Sequence, residues 1–345
     1  MSALSWFRGA MQPGEMTCTA YPWLGRLASL RLTLVILALL GMGVLIAYLS
    51  ETHTTWALVI PLVLVALNLA AAVATNGVFR RKTALLIFHL ALIAIILLVA
   101  AGRLSYLKGH LELAEGAEFS GELVGQESGP LHWSRLDRVR FVNEGFQIDY
   151  APGVRRGATN NRVRYVDEQG GIRQAVIGDN DALVVHGYRF YTSFNKGFAP
   201  SFLWRPTQGS AELGAVHLPA YPAHEYRQAR EWTLPGTSRT LWVQLQFDEV
   251  ILDPDKPSNF RLPARHVLVT RSGDTRTELQ PGQTLDLPEG RLEYIGLRSW
   301  MGYTVFSDWT TSWLLAASVV AVASLSFHFW RKFAQEPWNP DERHA

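Results

Sequence analysis

The sequence predicts a membrane protein with four transmembrane α-helices and a large extracytoplasmic, antiparallel β-rich domain between the third and the fourth. Three observations carry this. Residues 32–50, 56–75, 84–102 and 309–330 contain no Asp, Glu, Lys or Arg, and each run is close to the length of about 20 residues that a helix needs to cross a hydrocarbon core. Residues 103–308 hold most of the charge and many of the Gly and Pro residues. Within that region short stretches of alternating apolar and polar residues recur, separated by turn signals, which is the pattern of half-buried strands.

The elements follow in order. Residues 1–31 read as a cytoplasmic lead whose Trp6, Phe7, Tyr21 and Trp23 suit the membrane interface. Arg8, Arg26 and Arg31 precede the first span, Arg80, Arg81 and Lys82 fill the loop between the second and third, and Arg331 and Lys332 open the tail 331–345. The loop "ETHTT" between the first two spans has no cation. By the positive-inside rule both termini are cytoplasmic and residues 103–308 lie outside. The first span starts after about 30 residues and has no small-residue cleavage site, so it is not expected to be a cleaved signal peptide. In the second span, Pro61 near the start costs little, and Asn68 is expected to bond to a neighbouring helix.

The external region reads as strands over "RVRFVNEGFQIDY" (138–150), "NRVRYVDE" (161–168), "ALVVHGYRFYTS" (182–193), "TLWVQLQFDEV" (240–250), "ARHVLVTRSGDTRTELQ" (264–280) and "GRLEYIGL" (290–297). They suggest an antiparallel sandwich or open barrel. Residues 196–238, rich in Pro, Gly and aromatics, read as a long connecting loop.

Composition excludes several functions. Net charge is +2, and the cations are used by the topology, so nothing points to nucleic acid. The lone cysteine, Cys18, is on the cytoplasmic side, so the external domain can hold neither a disulfide nor a C-x-x-C redox pair. There is no phosphate loop, nucleophile elbow, H-E-x-x-H or meaningful carboxylate pair, and no internal repeat of the transporter kind. The external His53, His110, His132, His186, His217, His224 and His266 show no metal-ligand spacing.

His89 is the exception within the membrane. An ionisable side chain inside a span is a functional candidate by default, and even a neutral imidazole needs partners for its N–H and lone pair. It lies roughly 10 Å in from Lys82 at 1.5 Å per residue. Either it binds something there, or it makes an interhelical hydrogen bond, for instance to Asn68. His328, roughly 5 Å from the end of its span, sits among Phe and Trp beside Arg331 and also suits an interfacial anchor.

Four stretches resemble the ResB (CcsB) family of System II cytochrome c biogenesis: "LASLRLTLVILALL" (27–40), "GHLELAEGAEF" (109–119), "HGYRFYTSFN" (186–195) and "LEYIGLRSW" (292–300). The layout of three helices, β domain and fourth helix is similar over nearly the whole chain. Before the last helix "FSDWTTSW" (306–313) stands where family members often have Asp-Pro-Gly. The resemblance implies a multi-pass protein of the bacterial inner membrane that works with a ResC/CcsA-like multispanning partner. Together the two would carry haem b across the bilayer for attachment to apocytochrome c. This chain would be a non-catalytic or co-catalytic subunit of that haem lyase. It also implies His89 as an axial ligand of the haem iron, with the second ligand expected from the partner. Arg103 and Lys108 are candidates for pairing with the propionates, and His328, whose depth differs from that of His89 by only a few ångströms, for binding the same iron. The aromatic run 187–204 is a candidate haem or apoprotein surface. The alternative is a membrane-anchored binding module with no cofactor.

Overall fold

The computed structural model describes residues 22–50, 54–223 and 228–334. Trp6, Phe7, Arg8, Cys18, Tyr21, His53 and His224 lie outside them.

The described helices are α1 (Pro22–Leu27), α2 (Leu30–Leu49), α3 (Thr55–Thr75), α4 (Gly77–Arg81), α5 (Thr83–Ser105) and α6 (Thr310–Phe333). Four of them, α2, α3, α5 and α6, are long and apolar enough to span a membrane. The chain divides into two compact units, one of residues 1–104 and 309–345 and one of residues 105–308.

In the helical unit, α2 and α3 pack closely because Gly43 of α2 meets the backbone of α3. A Cβ there would lie 2.2 Å from the Ala57 carbonyl oxygen, so only glycine permits the approach. Asn68 of α3 is buried and bonds as expected to neighbouring segments. It accepts from Thr33 Oγ1 at 2.7 Å and donates to the carbonyl of Leu27. Pro61 sits inside α3, in its second turn.

The strands are β1 (Leu107–Ala114), β2 (Glu118–Phe119), β3 (Gly125–Ser128), β4 (Phe141–Ala151), β5 (Arg155–Val166), β6 (Ile172–Ile177), β7 (Leu183–Val185), β8 (Tyr188–Pro206), β9 (Glu212–Ala215), β10 (Ala229–Thr233), β11 (Thr240–Gln246), β12 (Ser258–Asn259), β13 (Val267–Ser272), β14 (Thr275–Leu279), β15 (Thr284–Leu287) and β16 (Gly290–Ser307). All their pairings are antiparallel, in three sheets. The largest runs β3-β1-β16-β8-β7, with β15 beside β16 and β9 beside β8. A second runs β12-β4-β5-β6 with β2 on β4, and a third β10-β11-β13-β14.

One apolar core joins the sheets, filled by Phe119, Phe141, Phe190, Phe198, Phe202 and Trp204 among others. A buried polar network crosses it. Asn161 of β5 donates to Asn143 Oδ1 (2.8 Å) and accepts from the Tyr303 hydroxyl (2.8 Å), while Asn143 donates to the Leu113 carbonyl (2.9 Å). Every donor here meets an acceptor, which is the condition for burying amides.

The connecting loop expected over 196–238 is corrected. Residues 196–206 continue β8, and β9 and β10 follow. Likewise β16 runs on to Ser307, ten residues past the expected end at 297. The central parts of β8 and β16 are buried on both faces, so the alternation that marks a strand disappears there. The aromatic run 187–204 is mostly core. Tyr188, Phe190, Phe198, Phe202 and Trp204 are buried, and the Trp204 indole donates to the Pro235 carbonyl (3.2 Å).

Candidate functional site

In α5 the residue four before His89 is Leu85, whose carbonyl oxygen lies 2.7 Å from Nδ1 of the imidazole. A carbonyl only accepts, so Nδ1 carries the proton in the neutral ring and Nε2 keeps its lone pair. Nε2 has no hydrogen bond among the described residues. The ring is flanked by Phe79 of α4 (centroids 4.4 Å) and Phe88 (5.2 Å). It is half-buried on an apolar helix. A tethered N–H on one nitrogen and an open lone pair on the other is the arrangement of a metal-ligating histidine with its supporting acceptor. The donor set therefore fits one axial position of a haem iron. The alternative partner, Asn68, is occupied by Thr33 and Leu27 and makes no bond to His89.

His328 does not join His89 by a hydrogen bond or ring contact among the described residues. Instead it lines a cavity of about 380 Å³ with Arg81, Lys82, Phe329, Arg331 and Lys332, where the start of α5 and the end of α6 meet. Sequence reasoning took these four cations only as topology signals. Their convergence depends on the helix pair and has no local signature.

Arg103, in the last turn of α5, donates through Nη2 to Thr54 Oγ1 at 3.0 Å. Lys108 is exposed on β1, in the other unit.

Among the external histidines, His132, His186, His217 and His266 have places in the fold, and His110 is exposed on β1. His132 bonds the Ser105 carbonyl (2.8 Å) and the Tyr188 hydroxyl (3.0 Å). His217 pairs with Glu112 (3.2 Å) and stacks on Trp300. Its hydrogen bond lowers the Glu112 carboxyl, outweighing the upward push of partial burial. His266 meets the Tyr294 hydroxyl at 2.7 Å, and burial lowers its pKa. His186 fills the tight turn between β7 and β8 with φ +50°. No group of three metal-ligating side chains occurs among the described residues.

Against known families, the model of the ResB-like family matches residues 66–332, from the middle of α3 through most of α6. The chain belongs to the ResB-like family. The match takes in His89, the whole β domain and His328. Membership agrees with the resemblance to the cytochrome c biogenesis proteins of that name. No curated protein matches this ResB-like chain. Among solved structures it is similar to "Cytochrome c Heme Lyase CcmF", with 14% identity over 88% of this chain and 35% of that one and a TM-score of 0.28.

Proposed function

We propose that this ResB-like protein is a haem-carrying subunit of a System II cytochrome c synthase. It takes haem b from the cytoplasmic side, passes it across the bilayer and presents it with a ResC/CcsA-like partner for attachment to apocytochrome c. The observation that carries the reading is His89, an imidazole in an apolar helix with Nδ1–H held by the Leu85 carbonyl and Nε2 left open.

Haem is the cargo, and the chain's residues act on it by binding and orientation. Nε2 of His89 would bind the haem iron, and the Leu85 carbonyl fixes the tautomer that leaves Nε2 free to do so. Phe79 and Phe88 flank the ring. The cations Arg81, Lys82, Arg331 and Lys332 lie at the ends of α5 and α6 beside His328. By the positive-inside rule those ends are cytoplasmic and residues 105–308 extracytoplasmic. Arg103 and Lys108 are the residues assigned to propionates farther along the path, as charge-assisted donors. This chain is a non-catalytic or co-catalytic subunit, and thioether formation is assigned to the complex with the partner.

The test is maturation of a reporter cytochrome c in cells that lack their own maturation system, supplied with this chain and a ResC-like partner. Covalent haem on the reporter should fall strongly with His89→Ala and recover in part with added imidazole. Normal maturation by His89→Ala would remove the reading in favour of a cofactor-free anchoring module.

A further inference from the structure

A second site lies in the β domain, where β8 leaves its register with β16. Lys196 pairs with Met301 and Thr192 with Tyr303, so Ser193, Phe194 and Asn195 together oppose Gly302. Gly302 is required there, since a Cβ would lie 2.6 Å from Ser193 Oγ and 3.0 Å from the Asn195 carbonyl oxygen. Bulges of this kind re-aim side chains. This one throws Phe194 outward, 77% exposed, and leaves Lys196 only 4% exposed.

Three buried donors, on β4, β5 and β8, lie in the neighbourhood of Phe194. The Lys196 ammonium is 5.5 Å from the centre of the Tyr150 ring, and its one hydrogen bond, to the Phe194 carbonyl, is long at 3.4 Å. Tyr150 is 3% exposed, and its hydroxyl is buried with no hydrogen-bond partner. Arg156, its register partner on β5, has Nε buried and likewise unpartnered. The Arg156 guanidinium sits 4.5 Å from the centre of the Phe194 ring and grips Asp179 at 2.7 and 3.2 Å. Asp179 also accepts from Thr192 Oγ1 at 3.1 Å. Burial lifts the Asp179 carboxyl, but Arg156, with the threonine hydroxyls, more than offsets it and keeps it below the usual carboxylate range.

The charges do not balance. Arg156 and Lys196 are two cations, and among the described residues Asp179 is the carboxylate facing them, with its oxygens already engaged by Arg156 and Thr192. Buried donors left without acceptors are costly, and a desolvated surplus cation more so. A group with several acceptor oxygens and a negative charge answers both deficits, whereas water has only two lone pairs and no charge. We propose that Tyr150, Arg156 and Lys196 form an oxyanion-binding site under Phe194 that takes a carboxylate or phosphate group. Phe194 covers the donors, and its exposed ring can swing aside on its own side-chain torsions. Once displaced, the ring offers an apolar face to whatever carries the anion. A haem propionate would meet both features, and that source rests on the function proposed above; free phosphate would use the donors alone.

The experiment is isothermal titration of the full-length protein in detergent, in phosphate-free buffer. The probes are inorganic phosphate, haemin, and haemin dimethyl ester, in which the propionates are capped. Tyr150→Phe keeps the ring in the core and removes one donor; Lys196→Met keeps the length and removes the charge. Each variant should weaken binding of the oxyanion by about tenfold, the worth of one charge-assisted hydrogen bond. Haemin bound with this sensitivity and the ester without it identifies the propionates. Phosphate bound with this sensitivity, and haemin without it, identifies the free anion as the occupant. No binding of either anion, or binding untouched by both variants, overturns the site. The haem Soret band reports iron ligation by His89 separately. An unchanged Soret band in His89→Ala refutes the haem reading; a band lost in His89→Ala while Tyr150→Phe and Lys196→Met leave the titrations unchanged refutes the oxyanion site alone.

Discussion

Removing the buried charge of Lys196 should stabilise the β domain and flatten its pH dependence. Burial, with the charge of Arg156 added, lowers the lysine from its ordinary 10.5 to about 8, against a smaller opposing pull from Asp179. At 1.36 kcal/mol per pH unit, that difference is about 3 kcal/mol of cost carried by the charged folded form. Below pH 8 the group is protonated in both states and the whole cost is present. Between about 8 and 10.5 the folded lysine has released its proton and the unfolded one has not. The unfolded state then binds more protons, so stability rises with pH. Burial also pushes the Tyr150 phenol up to about 12. That opposing effect lowers stability only once unfolded tyrosines ionise, above about pH 10. The window between pH 8 and 10 therefore belongs to Lys196. The assay is urea unfolding in detergent and phosphate-free buffer, followed by fluorescence of the buried Trp204 and Trp300. Wild type should gain about 2 kcal/mol from pH 7 to about pH 9.5. Lys196→Met should start up to about 3 kcal/mol higher at pH 7 and show no rise. A wild-type curve that stays flat or falls across the window, or a less stable Lys196→Met, would refute the reasoning.

Three further outcomes follow from the packing. Gly43→Ala drives a Cβ into the Ala57 carbonyl and should cost about 1–3 kcal/mol, read as a lower thermal midpoint in detergent. Gly41→Ala, with nothing within 4 Å, is the control and should not lower it. Asn68→Leu removes the bonds to Thr33 and Leu27 and should cost about 1 kcal/mol without altering any haem spectrum. Tyr303→Phe leaves Asn161 Oδ1 without its donor inside the core and should lower urea stability by about 1–3 kcal/mol.

The membrane helices were legible because a charge-free run of about 20 residues has essentially one solution. The expected spans 84–102 and 309–330 correspond to Thr83–Ser105 and Thr310–Phe333. Strands with one wet face, such as β11, were legible from period two. The extensions of β8 and β16 were not, because burial on both faces erases the alternation, and their bulge leaves no sequence mark beyond a glycine. His89 stood out as the one imidazole deep in an apolar run, and its tether to Leu85 follows from helix geometry. Phe79, which flanks it, comes from a separate short helix that no period announced. Lys196 reads in sequence as an ordinary solvated lysine. Only the meeting of β4, β5 and β8 buries it beside Tyr150 and Arg156.

The proposal that His89 binds haem iron through Nε2 is tested most directly by absorption spectra of the chain co-expressed with a ResC-like protein and purified in detergent. Oxidised and reduced spectra are recorded for wild type and His89→Gly, with and without added imidazole. Wild type should show a Soret band with sharp reduced α and β bands, His89→Gly should lose or shift that signature, and imidazole should restore it. An intact complex that supports cytochrome c maturation without bound haem, or one whose spectrum is the same in His89→Gly, would contradict the proposal.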